Sequence, residues 1–184
     1  MPPARGPELP ERRALAVELR AQGRRLTGYA ATFNAEARIA ESWTETILPG
    51  AFAASIASGR DILALVDHDA SRVLGRTRSK TLRLVEDTRG LAFEIELPDT
   101  QAGRDVLVLA ERGDLGGMSF GFTARDQSRQ GDRRELRAVE LHEISVVAAW
   151  PAYEGTVVQA RARAAMPPGL AHARRMLRIA EALA

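Results

Sequence analysis

Two residues in this chain stand where hydroxyl chemistry is possible. Ser119 lies in the run Gly116-Gly117-Met118-Ser119-Phe120-Gly121-Phe122, and His68 lies well upstream in Asp67-His68-Asp69. With three histidines and no cysteine in the chain, few nucleophile–base combinations exist. A serine hydroxyl is a weak nucleophile near neutral pH unless a base takes its proton during attack. Histidine is the side chain whose ordinary pKa suits that task. Small residues around Ser119 would admit a carbonyl and leave backbone N–H groups free for an oxyanion. This pairing points to serine hydrolysis.

Each feature also has a plain structural explanation. Gly117-Met118-Ser119-Phe120-Gly121 matches the G-x-S-x-G pattern of a nucleophile elbow, but an elbow needs a helix after the serine. Phe120 to Ala124 reads as continuing strand, so the elbow of an α/β-hydrolase is rejected while the serine is kept. On a strand, a glycine-flanked serine can simply mark a bulge or a close backbone approach. Asp67 and Asp69 can be ordinary turn formers around His68. Metal binding by that triplet is poorly supported, with no HExxH motif beside it. A third element is Leu141-His142-Glu143-Ile144-Ser145-Val146-Val147, where strand alternation places Glu143 and His142 on opposite faces. A carboxylate among apolar strand residues is costly to bury without a partner. That partner is either a histidine in need of orientation or one of the many arginines.

The totals bound the remaining classes. A chain of 184 residues with 45% hydrophobic residues suits one domain with a real core and flexible ends. All but one of the 26 basic residues are arginine, which reflects composition rather than nucleic-acid recognition. Residues 159–184 carry five arginines against Glu181, leaving 21 basic and 23 acidic residues in a nearly neutral body. Absence of cysteine excludes disulfides and thiolate sites. No apolar run approaches the ~20 residues of a membrane span, and the expectation is a soluble intracellular protein.

The elements that must position these residues are mostly strands, because the dominant hydrophobic period is two. Residues 1–12 read as a flexible arm, 13–158 as the folded domain, and 159–184 as a basic linker followed by an amphipathic helix. Strands are expected over 14–19, 25–33, 72–78, 81–85, 90–97 and 118–124, with a short apolar run at 61–66, a solvated hairpin or loop at 125–134, and a long strand or bent pair at 135–149. A short helix should open at Pro49-Gly50-Ala51-Phe52. A longer one should run from Thr100 as N-cap to about Arg112, stopped at Gly113. Many short strands with few helices predict a β-rich α+β domain, read as a closed β-barrel because closure removes exposed edges.

Taken together, the ordered motifs resemble the tailed-phage prohead serine protease family. They run from Gly28-Tyr29-Ala30 with Phe33, through Ile47-Leu48-Pro49-Gly50-Ala51-Phe52, to Asp67-His68-Asp69 and Val73-Leu74-Gly75-Arg76-Thr77. They continue through Gly90-Leu91, Gly103-Arg104-Asp105, Gly117-Met118-Ser119-Phe120-Gly121-Phe122, Glu143-Ile144-Ser145-Val146-Val147 and Pro151-Ala152-Tyr153. Similar proteases occur in phage-derived gene transfer agents. The resemblance implies an assemblin-like β-barrel surrounded by helices and a Ser-His pair carried on strands. By position it implies Ser119 as nucleophile, His68 as general base and Glu143 as third member, with His142 as the alternative because assemblins use a second histidine. It implies no cofactor or metal. The implied partners are the major capsid protein and its scaffold segment, with a possible homo-oligomer, and with neither a specific nucleic acid nor a membrane. Action would take place inside the assembling prohead in the host bacterial cytoplasm, with self-cleavage, for which Ala160 to Met166 is a candidate segment. The rival reading is a protease-like module retained only to bind scaffold or capsid.

Overall fold

A computed structural model describes residues 10–15, 19–39, 43–148 and 156–157. The elements in chain order are β1 (Glu11–Leu15), β2 (Arg20–Gln22), β3 (Arg25–Thr32), β4 (Glu36–Ile39), β5 (Trp43–Ile47), α1 (Ala53–Ala57) and β6 (Leu63–Val66). They continue with β7 (Asp69–Arg76), β8 (Leu82–Glu86), β9 (Gly90–Glu96), α2 (Gln101–Arg112), β10 (Gly117–Gln130), β11 (Arg133–Val147) and β12 (Thr156–Val157). Most of the expected arm, at 1–9, and the expected linker and helix at 159–184 lie outside the described residues.

The strands form two open sheets, and the expectation of a closed barrel is corrected. The smaller sheet runs β2-β3-β9-β8 and the larger β1-β10-β11-β5-β4-β12. Strand β11 is the branch point. One of its edges is held by β10 along nearly its whole length. The other is divided between two parallel partners, β5 at Arg133–Leu136 and β6 at Glu143–Val146. Strand β7 then pairs with β6. Among the described residues the ladders end on different strands and do not meet, whereas closure needs a continuous staggered circuit. Period two marks the faces that strands bury but not which strands pair, and it leaves β2, β4, β5 and β12 unassigned. The β-rich character itself is as expected.

The core lies between the sheets. Leu26, Leu84, Leu91, Phe93 and Ile95 of the small sheet join Met118, Phe120, Phe122, Ile144 and Val146 of the large one in a single buried cluster. Phe52, just ahead of α1, sets its ring edge-on to Phe120 at 5.5 Å and stacks on Phe33 at 6.2 Å. Helix α2 has the expected ends. Thr100 Oγ1 accepts from the Gly103 N–H at 3.3 Å, and Gly113 takes the left-handed C-cap conformation at φ 73°. Strands β10 and β11 continue through 125–134 as a long hairpin that turns at 131–132.

Candidate active site

The same alternation that feeds the core gives the large sheet a second, chemically different face. Across β6, β11, β10 and β1, one row in register is Leu65, Ser145, Ser119 and Ala14. The next row is Leu63, Glu143, Gly121 and Arg12. Side chains in register on neighbouring strands share a face. Met118, Phe120, Ile144 and Val146 alternate with these residues and point the other way, into the core. Ser119, Glu143 and Ser145 therefore stand on one face of two adjacent strands.

His68 reaches this face from the tip of the β6–β7 hairpin. Val66 pairs with Asp69, so Asp67 and His68 form a two-residue turn, and both have positive φ, 49° and 62°. That is the conformation of a type I′ hairpin, usually filled by Asn-Gly. A histidine there costs on the order of 1–2 kcal/mol of backbone strain. Compensating bonds hold the tip. The Asp67 N–H donates to Val146 O at 2.9 Å, and Asp67 Oδ1 accepts from the Ala148 N–H at 3.0 Å. Asp69 Oδ1 accepts from Ser71 N–H and Oγ–H, bonds that lower its pKa. The two aspartates thus shape the turn, and the imidazole between them is directed elsewhere.

Its partner is Glu143. His68 Nδ1 lies 2.7 Å from Glu143 Oε1, with both side chains largely buried. The other carboxylate oxygen, Oε2, accepts from Ser145 Oγ at 2.5 Å. Gly121 leaves the space that the carboxylate fills, since a Cβ there would collide with Glu143 Oε1. The second glycine of the G-x-S-x-G run thus makes room for a carboxylate across the strand pair.

Ser119 is 1% exposed. Among the described residues its Oγ is the one buried side-chain polar atom without a hydrogen-bond partner. Leaving a hydroxyl in that state costs about 1–3 kcal/mol, so it calls for an explanation beyond packing.

His142 does not follow simple alternation. Gly121 pairs with Glu143 and Phe122 with Leu141, so His142 is an extra residue in a β-bulge. Its Nε2 lies 2.8 Å from Thr123 Oγ1, and Thr123 alternates with Phe122 onto the face of Ser119 and Gly121. The expectation that His142 points to the opposite side from Glu143 is therefore corrected. The Leu141 N–H is satisfied by Ser55 Oγ at 2.9 Å. Burial depresses the His142 pKa, aided by the Arg60 and Arg125 guanidiniums and opposed by Glu143. The hydrogen bonds place His142 on Thr123 and His68 on Glu143.

Sequence reading missed Ser145, Asp67 and Gly121 as parts of this site. The signal for Ser145 was its place two residues beyond Glu143 on one strand. The signal for Asp67 and Gly121 was a local hydrogen bond and a close approach that spacing alone does not reveal. A family model described as caudovirus prohead serine protease matches residues 12–167. Neither the curated proteins nor the solved structures compared with the chain match it. The match spans β10, β11 and the β6–β7 hairpin together with nearly all other described residues, in agreement with the ordered motifs, and the chain belongs to the caudovirus prohead serine protease family.

Proposed function

We propose that the chain is a capsid-maturation endopeptidase in which Ser119 attacks, His68 moves the proton and Glu143 orients His68. One observation carries this reading: the buried, unpartnered hydroxyl of Ser119 shares a sheet face with the His68–Glu143 pair. The register also sets the Ser119–Ser145 row between the hairpin tip and the Glu143–Gly121 row. A side chain reaching from the tip to Glu143 must pass over that row.

The chemistry follows from the tautomer. With Glu143 ionised, Nδ1 carries the proton it donates to Oε1, and Nε2 is left as an acceptor. As Ser119 Oγ forms a bond to the scissile carbonyl carbon, its proton passes to Nε2. Glu143 stabilises the imidazolium. Collapse of the tetrahedral adduct breaks the C–N bond, and Nε2 returns the proton to the departing amine. Water then repeats the sequence on the acyl-enzyme, with His68 again as base. Backbone N–H groups would hold the oxyanion. The Ala148 N–H is committed to Asp67, so it is not the free donor. Because Ser119 is so deeply buried, its face of the sheet must open to admit a peptide.

The substrate in this reading is the scaffold segment of the major capsid protein inside the prohead, with self-cleavage between Ala160 and Met166. Co-expression with a major capsid protein carrying its scaffold segment, followed by mass spectrometry, tests this directly. Discrete scaffold-release products support the reading. An intact capsid protein alongside turnover of p-nitrophenyl esters points to an esterase, and no turnover of either points to a binding module.

A further inference from the structure

We propose that Ser145 is a positioning residue of this site, one that sets which oxygen of Glu143 faces His68. The inference rests on the catalytic reading above and adds a fourth side chain to it. Ser145 is fully buried, directly opposite Ser119 in the β10–β11 ladder, and its hydroxyl donates to Glu143 Oε2 at 2.5 Å. Oε1 of the same carboxylate meets His68 Nδ1 at 2.7 Å.

A glutamate side chain has three rotatable torsions, and its carboxylate needs more than one contact to stay in one orientation. Here it has three restraints. The imidazole takes one oxygen, the Ser145 hydroxyl takes the other, and the missing side chain of Gly121 provides the space below. The first fixes the histidine only if the second fixes the carboxylate. A carboxylate is an acceptor at both oxygens, so a buried Oε2 without Ser145 would lack a donor and would compete for the imidazole N–H. The geometry also commits the Ser145 proton away from Ser119. Two serines face each other across the ladder, yet one hydroxyl is spent on the carboxylate and the other is left unpartnered. That asymmetry assigns them different work: Ser145 orients, and Ser119 is free to react.

A donor to a carboxylate also spreads its charge and weakens its pull on a neighbouring imidazolium. Removing the donor concentrates that charge, strengthens the imidazolium and moves the acid limb of the rate profile to higher pH. Structural packing alone would not move that limb.

The test measures capsid-protein cleavage by the full chain across pH, with Ser145→Ala and Ser145→Thr in parallel. Ser145→Ala is expected to lower kcat by about ten- to a hundredfold, equivalent to one hydrogen bond to a charged group. KM should change little, and the acid limb should rise. Ser145→Thr, which keeps the hydroxyl, should restore both. In a Glu143→Gln background, Ser145→Ala should add little further loss, because the two act through one carboxylate. If Ser145→Ala does not fold, Ser145→Cys keeps the volume with a weaker donor and should show the same shift in smaller measure. An unchanged kcat, a limb that stays or falls, or full additivity with Glu143→Gln overturns the role. Ser119→Ala is the control that separates the two failures. If it still cleaves, the catalytic reading fails. If it is inactive while Ser145→Ala behaves as wild type, only the positioning role fails.

Discussion

Gly121 faces Glu143 across the β10–β11 ladder, and the carboxylate lies where a side chain on residue 121 would have to be. The glycine is in extended backbone, so its role is room rather than conformational freedom. Gly121→Ala should push the Glu143 carboxylate off His68. Overpacking of this kind costs roughly 1–3 kcal/mol of stability, and cleavage should fall much further than stability does. Urea unfolding beside cleavage rates checks this. A variant with wild-type turnover would show that Glu143 need not lie over residue 121.

His142 and Glu143 are neighbours with different partners, which makes them separable. Glu143→Gln should slow cleavage strongly, because the amide removes the charge that steadies an imidazolium on His68. His142→Gln should slow it only mildly. The reverse ranking would favour a Ser-His-His site. His142 also predicts a pH effect on stability. Its folded pKa lies below the ordinary histidine value, so the unfolded chain binds the proton more readily. Its contribution is present above the ordinary pKa and is lost as pH falls through the lowered one. His142→Gln should flatten that part of the stability curve, as thermal melts across the acidic range would read.

Strand β1 pairs with β10 through its ladder, and charge ties it to β5 and β11 as well. Arg13 bonds Glu45 at 2.7 and 2.9 Å and Glu11 at 2.6 Å. Arg134 bonds Glu11 at 2.6 and 2.7 Å and Glu45 at 2.9 Å. Burial pushes the Glu11 pKa up, but Arg134 and Arg13 outweigh it and the net direction is down. Glu45 is 3% exposed. Arg134→Met would leave two carboxylates to one guanidinium, and breaking a buried network of this kind costs roughly 3 kcal/mol. Chemical denaturation measures it. A change within experimental error would mean that Arg13 alone neutralises both acids.

His68 was legible as a candidate because the chain holds three histidines and no cysteine, whereas Ser119 and Glu143, of common residue types, stood out only through the motifs around them. The structure sets His68 Nδ1 2.7 Å from Glu143 Oε1. The ends of α2 were legible because Thr100 and Gly113 act through local backbone physics. The pairing of strands was not. Nothing in the alternation of β11 states that it bonds β5 with one part of its edge and β6 with another, and the barrel expectation failed there. The bulge at His142 was hidden for a similar reason, since it depends on the partner strand and on Ser55 from α1. Strands β4 and β5 were left unassigned because Glu45 occupies an inward position that only Arg13 and Arg134, distant in sequence, make tolerable.

Asp67 should matter through geometry rather than charge. Its side chain ties the hairpin tip to Ala148 while its backbone adopts positive φ. Asp67→Asn keeps an acceptor and a residue that tolerates this conformation, so cleavage should stay near wild type. Asp67→Ala loses both and should lower kcat about tenfold, in proportion to one lost hydrogen bond and added strain. Equal rates in the two variants would show that the clamp does not set the position of His68.

Cleavage of the major capsid protein by purified Ser119→Ala is the most direct measurement. The substitution replaces a hydroxyl that makes no hydrogen bond with a methyl, so the variant should fold and melt like the wild type, or slightly above it. Its cleavage rate should nevertheless fall by about 10⁴–10⁶, in line with the loss of a triad nucleophile. A well-folded Ser119→Ala protein that still releases the scaffold segment at a comparable rate would contradict the assignment of Ser119 as nucleophile.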